Sequence, residues 1–314
     1  GCFGGCSFCT ISAHQGKFVA SRSEKSVLKE VEEITKHPEF KGYISDLGGP
    51  SANMYKMKGK DESICARCQS PSCIHPVICS NLDTSHKPMT ELYRKVDANP
   101  KIKKAFVGSG VRYDLLVDDF NKNNADGNHD EYMEQLVTRH VSGRLKVAPE
   151  HTSDDTLRVM RKPSFKYFKL FKQKYDKIQE KHNLKQPLIP YFISSHPGCE
   201  EQDMANLAAE TKDLGFQLEQ VQDFTPTPMT VAEVIYYSGV HPYTLKPVKT
   251  AKTRDEKQAQ NRYFFWYKPE YKDWIRSRLN KLNRPDLVER LLGSKTGNTG
   301  KTTSSGNYSG RKKR

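Results

Sequence analysis

Gly1-Cys2-Phe3-Gly4-Gly5-Cys6-Ser7-Phe8-Cys9 opens the chain, three cysteines at a C-x3-C-x2-C spacing crowded into a glycine-rich loop. Three thiolates on one short loop can hold three corners of a [4Fe-4S] cube and leave the fourth iron without a protein ligand. An open iron is a place for a small molecule to coordinate. Gly4 and Gly5 let the backbone fold tightly where a Cβ would clash. Phe8 lies between two ligands, so its ring is expected close to whatever binds the open iron. A zinc knuckle is the competing reading, but zinc sites take a fourth ligand and favour C-x2-C pairs. A disulfide would leave one of the three thiols spare.

The chain has 314 residues, enough for one large or two ordinary domains. At 35 % hydrophobic and 28 % charged residues, a core is possible beneath a very polar surface. No window of about 18 apolar residues exists, so no membrane span is expected, and no signal peptide is recognisable. Eight cysteines without a secretory signal point to metal chemistry in a reducing cytoplasm rather than a disulfide framework. The first residue is Gly rather than Met and sits on the cysteine loop, so a missing N-terminal region is expected upstream.

Charge is unevenly placed. Residues 1–240 carry 32 Lys/Arg against 31 Asp/Glu, whereas residues 241–314 carry 19 against 6, so the net +14 belongs almost wholly to the C-terminal part. Such an appendage can attract phosphate-rich partners, nucleic acid among them, or can simply be a solvated tail.

Strand and helix signals alternate after the loop. Ser21-Arg-Ser-Glu24 reads as a capping box, followed by Val27, Val31 and Ile34 at helical spacing and by Pro38. Strands are expected at 43–47, 105–107, 144–148, 188–195 and 218–224, with helices over 90–99, 130–141, 152–160, 202–214 and 231–237. Phe165, Phe168, Phe171, Tyr175 and Ile178 mark a long amphipathic helix whose aromatics belong to the core. This alternation predicts βα units with a parallel sheet, and functional loops then lie at the carboxyl ends of the strands. Residues 1–243 form the core, with a Cys-rich insertion at 60–80; residues 244–293 form a basic helical extension; residues 294–314 read as a disordered basic tail. Within the extension Tyr263, Phe264, Phe265 and Trp266 alternate with Arg262 and Lys268, either a packing surface or a platform for bases.

Several residues at strand ends carry candidate chemistry. Gly48-Gly49 closes the first strand after the loop. Ser109 and Arg112 follow the next, where Arg suits a carboxylate because its fork is bidentate; a surface ion pair is the plainer role. Lys146 and Glu150 flank the end of a third in Lys-Val-Ala-Pro-Glu-His. Glu150 is placed to accept from ribose hydroxyls or to cap a helix, and His151 to act as acid or base or to sit in solvent. Cys199, after a fourth strand, is either a reactive thiol or a small buried hydrophobe. The second cysteine group, Cys65, Cys68, Cys73 and Cys79, reads C-x2-C-x4-C-x5-C and is expected to bind zinc or a second Fe-S cluster; the spacing does not separate the two.

Gly-Cys-Phe-Gly-Gly-Cys-Ser-Phe-Cys, Ser-Asp-Leu-Gly-Gly-Pro-Ser-Ala-Asn-Met-Tyr, Cys-Ala-Arg-Cys-Gln-Ser-Pro-Ser-Cys, Val-Ala-Pro-Glu-His and Gln-Asp-Phe-Thr-Pro-Thr-Pro together resemble the YgiQ-like family of uncharacterised radical S-adenosylmethionine (SAM) proteins. The resemblance runs through almost the whole chain except the tail. It implies an α/β fold, a partial (βα)6 TIM-like radical SAM barrel, here lacking its first strand. It implies Cys2, Cys6 and Cys9 as [4Fe-4S] ligands, Phe8 as the neighbour of the SAM adenine, and Gly48 and Gly49 beside the methionyl ammonium, with Ser109, Arg112 and Glu150 as further SAM contacts. Pro50 stands where the family's motif carries an acid, and Asp46 or Ser51 is the candidate to compensate. The implied activity is reductive cleavage of SAM to a 5'-deoxyadenosyl radical that abstracts hydrogen from a substrate, served by an electron donor of the flavodoxin or ferredoxin class. Two other readings stand beside it: a methylthiotransferase-like enzyme acting on RNA, and a non-enzymatic, metal-stapled nucleic-acid-binding module.

Overall fold

The computed structural model describes residues 1–49, 51–117, 120 and 127–293. Pro50 and the tail from 294 onward lie outside the described residues. In chain order the elements are α1 (Ile11–His14), α2 (Glu24–Thr35), β1 (Tyr43–Ile44), β2 (Lys58–Gly59), α3 (Glu62–Arg67), β3 (Leu82–Asp83), α4 (Lys87–Asp97) and β4 (Lys104–Ala105). There follow α5 (His129–Gln135), continued by a π-helical turn over Leu136–His140, then β5 (Leu145–Glu150), α6 (Asp154–Met160), α7 (Phe165–Lys181), β6 (Leu188–Ser194), α8 (Glu201–Asp213) and β7 (Gln220–Asp223). The chain closes with α9 (Val231–Ser238), α10 (Arg254–Arg262), α11 (Pro269–Lys281) and α12 (Pro285–Leu292).

The sheets are small and mostly parallel. β1 pairs with β4, and β6 pairs with β5 on one side and β7 on the other, all in parallel. A single parallel bridge between Val111 and Val147 links the two groups. Five parallel strands therefore stand where five are expected, but β1 and β4 are two residues each rather than the longer runs anticipated. No closed barrel forms among the described residues. The sequence reading missed the antiparallel pair β2–β3, which frames the cysteine-rich insertion.

Local chemistry accounts for the helices. α2 is capped by Ser23, whose hydroxyl accepts from the Ser26 amide, and not by Ser21 as the capping-box pattern predicts. The Ser21 hydroxyl instead accepts from the Lys56 amide at 2.8 Å. α7 is capped by Ser164 and buries Phe165, Phe168, Phe171 and Tyr175, the stripe its spacing predicts. α8 carries a reciprocal capping box between Glu200 and Asp203, and α10 one between Thr253 and Glu256. The second box starts α10 within the basic helical extension.

One continuous core runs from α2 to α12 and includes Tyr263, Phe264, Ile275, Leu279, Leu287 and Leu291 of the extension. Tyr263 and Phe264 are fully buried, so the aromatic cluster is a packing surface. A carboxylate fixes it: Glu201 accepts from the Tyr263 hydroxyl at 3.1 Å and from Arg278 Nε at 2.8 Å, with Arg278 Nη2 closing a bidentate pair. Glu201→Ala leaves these donors unpaired and is expected to cost about 1–3 kcal/mol, read as a lower urea midpoint at unchanged slope. A second, smaller core of Phe3, Met54, Met57, Ile74, Ile78, Leu82, Leu115 and Phe120 lies beneath the insertion. No described helix is long and apolar enough to cross a membrane.

Candidate functional site

The Cys2–Cys9 loop is tied down along its length. Cys2 N–H donates to the Gly16 carbonyl (3.0 Å), Ser7 N–H to that of Met160 (3.0 Å), and the Ser7 carbonyl accepts from Ala232 N–H (2.9 Å). All three thiols are free and half-buried. They line a cavity of about 390 Å³ together with Phe8, Arg112, Lys146, Glu150, Lys162 and Tyr191. The cavity lies at the carboxyl end of β5 and beside the turn after β4, where parallel α/β sheets place their ligands. Burial pushes the Cys9 thiol up and the Ile11 N–H pulls it down, while Cys6, Cys2 and Glu150 add to the rise.

Arg112 is buried and paired with the buried Asp114 through Nε (3.1 Å) and Nη2 (2.5 Å). The fork that suits an incoming carboxylate is thus already occupied, and the surface ion pair considered for Arg112 is a buried one. Burial works against its charge, but Asp114, then Cys6 and the Asp114 hydrogen bonds, outweigh it and hold the guanidinium protonated. Its Nη1 faces the cysteine loop: a Cβ on Gly4 would lie 2.6 Å from that atom and 3.3 Å from Cys2 Sγ.

The backbone of Arg112 is held as firmly as its side chain. Asn53, fully buried, accepts from Arg112 N–H at 2.7 Å and donates through Nδ2 to the Arg112 carbonyl at 3.0 Å. The backbone N–H can only donate, so the amide orientation is determined. Nδ2 also lies 3.0 Å from His86 Nε2, which must then accept. His86 accordingly carries its proton on Nδ1, 2.7 Å from His129 Nδ1. Nothing in the sequence reading singled out Asn53 or His86, although Asn53 lies within the Ser-Ala-Asn-Met-Tyr segment.

Glu150 has a left-handed backbone (φ +69°) at a bulge in the β5–β6 pairing. Such strain in a non-glycine residue at a strand end marks a position the surroundings over-determine. Its carboxylate is buried, lies 3.6 Å from Lys162 Nζ, and is raised by burial against the pull of that lysine. Lys162 also donates to the Ala148 carbonyl at 2.7 Å. The cap of α6 is Ser153, so Glu150 has no capping role there.

Gly48 and Gly49 line a separate, neighbouring cavity of about 390 Å³, and Ser51 borders both. Ser109 is not among the residues lining the cysteine cavity; its hydroxyl donates to Asp46 at 2.6 Å. Asp46 also accepts from the Gly108 and Ser109 amides, so it braces this turn, and both it and Ser51 line the cavity of Gly48 and Gly49.

His151 is fully buried, which corrects the solvent-exposed alternative. Its Nδ1 accepts from Ser153 N–H (3.0 Å) and its Nε2 lies 3.3 Å from Cys199 Sγ. Cys199 is buried too, with Gln260 Oε1 at 3.2 Å, and burial pushes its thiol well up, a structural rather than a reactive setting. His196 donates through Nδ1 to the Pro197 carbonyl (2.8 Å), leaving Nε2 to accept from the Ser7 hydroxyl at 3.4 Å, and its ring meets Phe8 edge-on at 5.7 Å. This contact braces the cysteine loop from the end of β6 and was not foreseen.

Burial lowers His196 to about 4, against its bond to Pro197, and burial together with His196 lowers His151 to about 3. The unfolded chain takes up these protons near pH 6.5. Stability is therefore full above that value and falls as the pH drops towards 4, by on the order of 2 kcal/mol per imidazole at pH 5. Urea midpoints measured from pH 7.5 to 5 are expected to fall, and His196→Gln to flatten that slope; equal slopes would refute the assignment.

Of the second cysteine group, Cys65 and Cys73 are half-buried and Cys68 and Cys79 exposed, all free. Cys73 is raised to about 11, by burial first; Lys17 opposes, and Cys79, Cys68 and Cys65 are each near enough to contribute. Among the described residues, no three His, Cys, Asp or Glu side chains converge closely enough to hold one metal ion, and this applies to both cysteine groups.

Residues 219–295, from β7 through the extension, match a domain of unknown function, DUF3362. The chain is 61 % identical over 295 residues to a UPF0313 protein of Bacteroides thetaiotaomicron, covering 94 % of this chain and 48 % of that protein. A UPF0313 protein of Porphyromonas gingivalis is 61 % identical over 296 residues (94 % and 47 %), and one from Methanocella arvoryzae 42 % identical over 288 residues (92 % and 46 %). The chain spans about half the length of the curated relatives it matches. Over the residues it covers, and across nearly its whole length, this chain is similar to UPF0313 proteins at this level of identity.

Proposed function

We propose that this chain is the catalytic core of a radical SAM enzyme, with Cys2, Cys6 and Cys9 as the protein ligands of a [4Fe-4S] cluster. The observation that carries the reading is the shared cavity: three free thiols of a C-x3-C-x2-C loop open onto the same space as Phe8, Arg112, Lys146 and Glu150. The residues fit the group. Gly4 leaves open the space beside Cys2 Sγ that a Cβ would fill, and the buried Arg112 sets a permanent cation beside Cys2 and Cys6. When bound, the cluster and SAM supply one-electron reductive cleavage of SAM and a 5'-deoxyadenosyl radical that abstracts hydrogen.

The protein's part is to bind, orient and shield. Arg112 offsets the negative charge of the thiolates, with Asn53 and Asp114 fixing its position. Lys146, at the cavity wall, supplies a cation for a carboxylate, in place of the fork of Arg112 that Asp114 occupies. Glu150 accepts from sugar hydroxyls while Lys162 favours its charged form. Phe8, held by His196 and the Ser7 anchor, offers an apolar face for a base. The burial of Tyr263 and Phe264 removes half of the aromatic platform on which an RNA-stacking reading would depend.

The test is anaerobic reconstitution of the intact protein with iron and sulfide. Addition of SAM is expected to perturb the electron paramagnetic resonance of the reduced cluster, and dithionite to release 5'-deoxyadenosine. An unchanged spectrum together with no 5'-deoxyadenosine would overturn the proposal.

A further inference from the structure

We infer that Cys65, Cys68, Cys73 and Cys79 hold a second iron–sulfur cluster, seated against the back of the Cys2–Cys9 loop. The inference does not depend on SAM chemistry at the first site.

The four thiols are gathered by a small frame. Cys65 lies in α3 and Cys68 caps it, donating its N–H to the Cys65 carbonyl at 3.1 Å. Cys79 N–H donates to the Cys73 carbonyl at 2.7 Å, and Leu82 N–H to that of Cys79 at 2.9 Å, so the third and fourth cysteines turn directly into β3. Asn81 locks the two ends of the frame. It accepts from Asp61 N–H and donates to the Asp61 carbonyl, both at 2.9 Å, and its Nδ2 also reaches Cys65 Sγ at 3.3 Å. Donors of this kind to sulfur are what iron–sulfur sites use to stabilise thiolate charge. The space for Cys65 is cut into the hairpin: a Cβ on Gly59 would lie 2.3 Å from its sulfur.

The placement of the side chains, rather than their spacing in sequence, favours a cluster over zinc. A zinc ion draws four thiolates to about 2.3 Å around a single atom, and no three of the described side chains converge in that way. A cube attaches each thiolate to a different iron and so holds them further apart. Four thiolates fill all four corners of such a cube and leave no iron open.

The insertion is docked rather than appended. Cys73 N–H donates to the Phe3 carbonyl at 3.0 Å, and the Ser72 hydroxyl to the Gly4 carbonyl at 2.7 Å. Lys17 Nζ donates to the carbonyls of Cys68 and Ser70, both at 3.0 Å. The segments Phe3–Gly5 and Pro71–Cys73 thus form one wall between the two cysteine groups. Because metal binding to such a loop is coupled to its folding, filling one site should order the wall of the other.

The test uses the intact protein, reconstituted anaerobically with ferrous iron and sulfide, in three forms: wild type, Cys2→Ala/Cys6→Ala/Cys9→Ala, and Cys65→Ala/Cys68→Ala/Cys73→Ala/Cys79→Ala. The wild type is expected to bind about eight irons and as many sulfides, and each variant about four. A milder variant, Cys68→Ala/Cys79→Ala, alters only exposed thiols and should also drop to about four with its circular dichroism retained. Iron confined to the Cys2 group, or a stoichiometric zinc without sulfide in the second group, overturns the inference. Failure of SAM to perturb a two-cluster protein would overturn the proposed activity and leave this inference standing.

Discussion

Cys6→Ala is expected to abolish SAM cleavage, lowering 5'-deoxyadenosine formation by more than about a hundredfold, or about 2.7 kcal/mol at 1.36 kcal/mol per factor of ten. Cys6 is the middle of three thiols on one loop, with no fourth cysteine among the residues lining its cavity. Losing it leaves two ligands for a group that needs three, beside a buried guanidinium whose charge two thiolates balance less well. Cys199→Ala is the matched control. That thiol is buried between His151 and Gln260, away from the cysteine cavity, and its removal should leave product formation within about twofold. Iron assay and product chromatography on both variants check the pair. Retained activity in Cys6→Ala, or equal loss in both, contradicts the assignment.

Gly5→Ala carries the largest expected effect on stability. Gly5 has a left-handed backbone (φ +60°), and a Cβ there would lie 2.2 Å from the Pro71 carbonyl oxygen and 3.0 Å from Ser72 Cβ. The backbone conformation alone costs about 1–2 kcal/mol for an L-residue, and the clash with an immobile carbonyl about 1–3 kcal/mol more. A loss of about 2–5 kcal/mol is expected, measured as the urea midpoint of the iron-free protein. Gly16→Ala is a useful comparison: its φ is +77° but nothing lies within 4 Å, so only the backbone part should be lost. The difference between the two reports how tightly the insertion presses on the loop.

The alternation of elements and the aromatic stripe of α7 were readable because each rests on local periodicity, and the five parallel strands followed from it. The cap of α2 was misread because Ser21 and Ser23 are equally good donors and acceptors in sequence; the choice is made by the Lys56 amide, 35 residues away. His151 next to a charged residue looks like surface, yet Cys199 of the turn before α8 packs against it and is itself held by Gln260 of α10. Arg112 looks free for a ligand because its partner, Asp114, is only two residues away, a spacing that local pattern gives no reason to pair. The β2–β3 pair is two residues per strand, too short to leave a period. Asn53 and His86 act through bonds to distant backbone and to each other, which no linear motif records.

The amide clamp on residue 112 has a consequence for how such a pocket diversifies. Asn53 grips the main chain on both sides of the Cα, so the socket is built without reference to the head it carries. Exchanging that head for another leaves its mounting intact, while Asp114 and the cysteine loop, which meet its charge, must accommodate the change. Lineages sharing this scaffold can therefore explore new chemistry at the mouth of the cavity by point changes, without dismantling the frame around it.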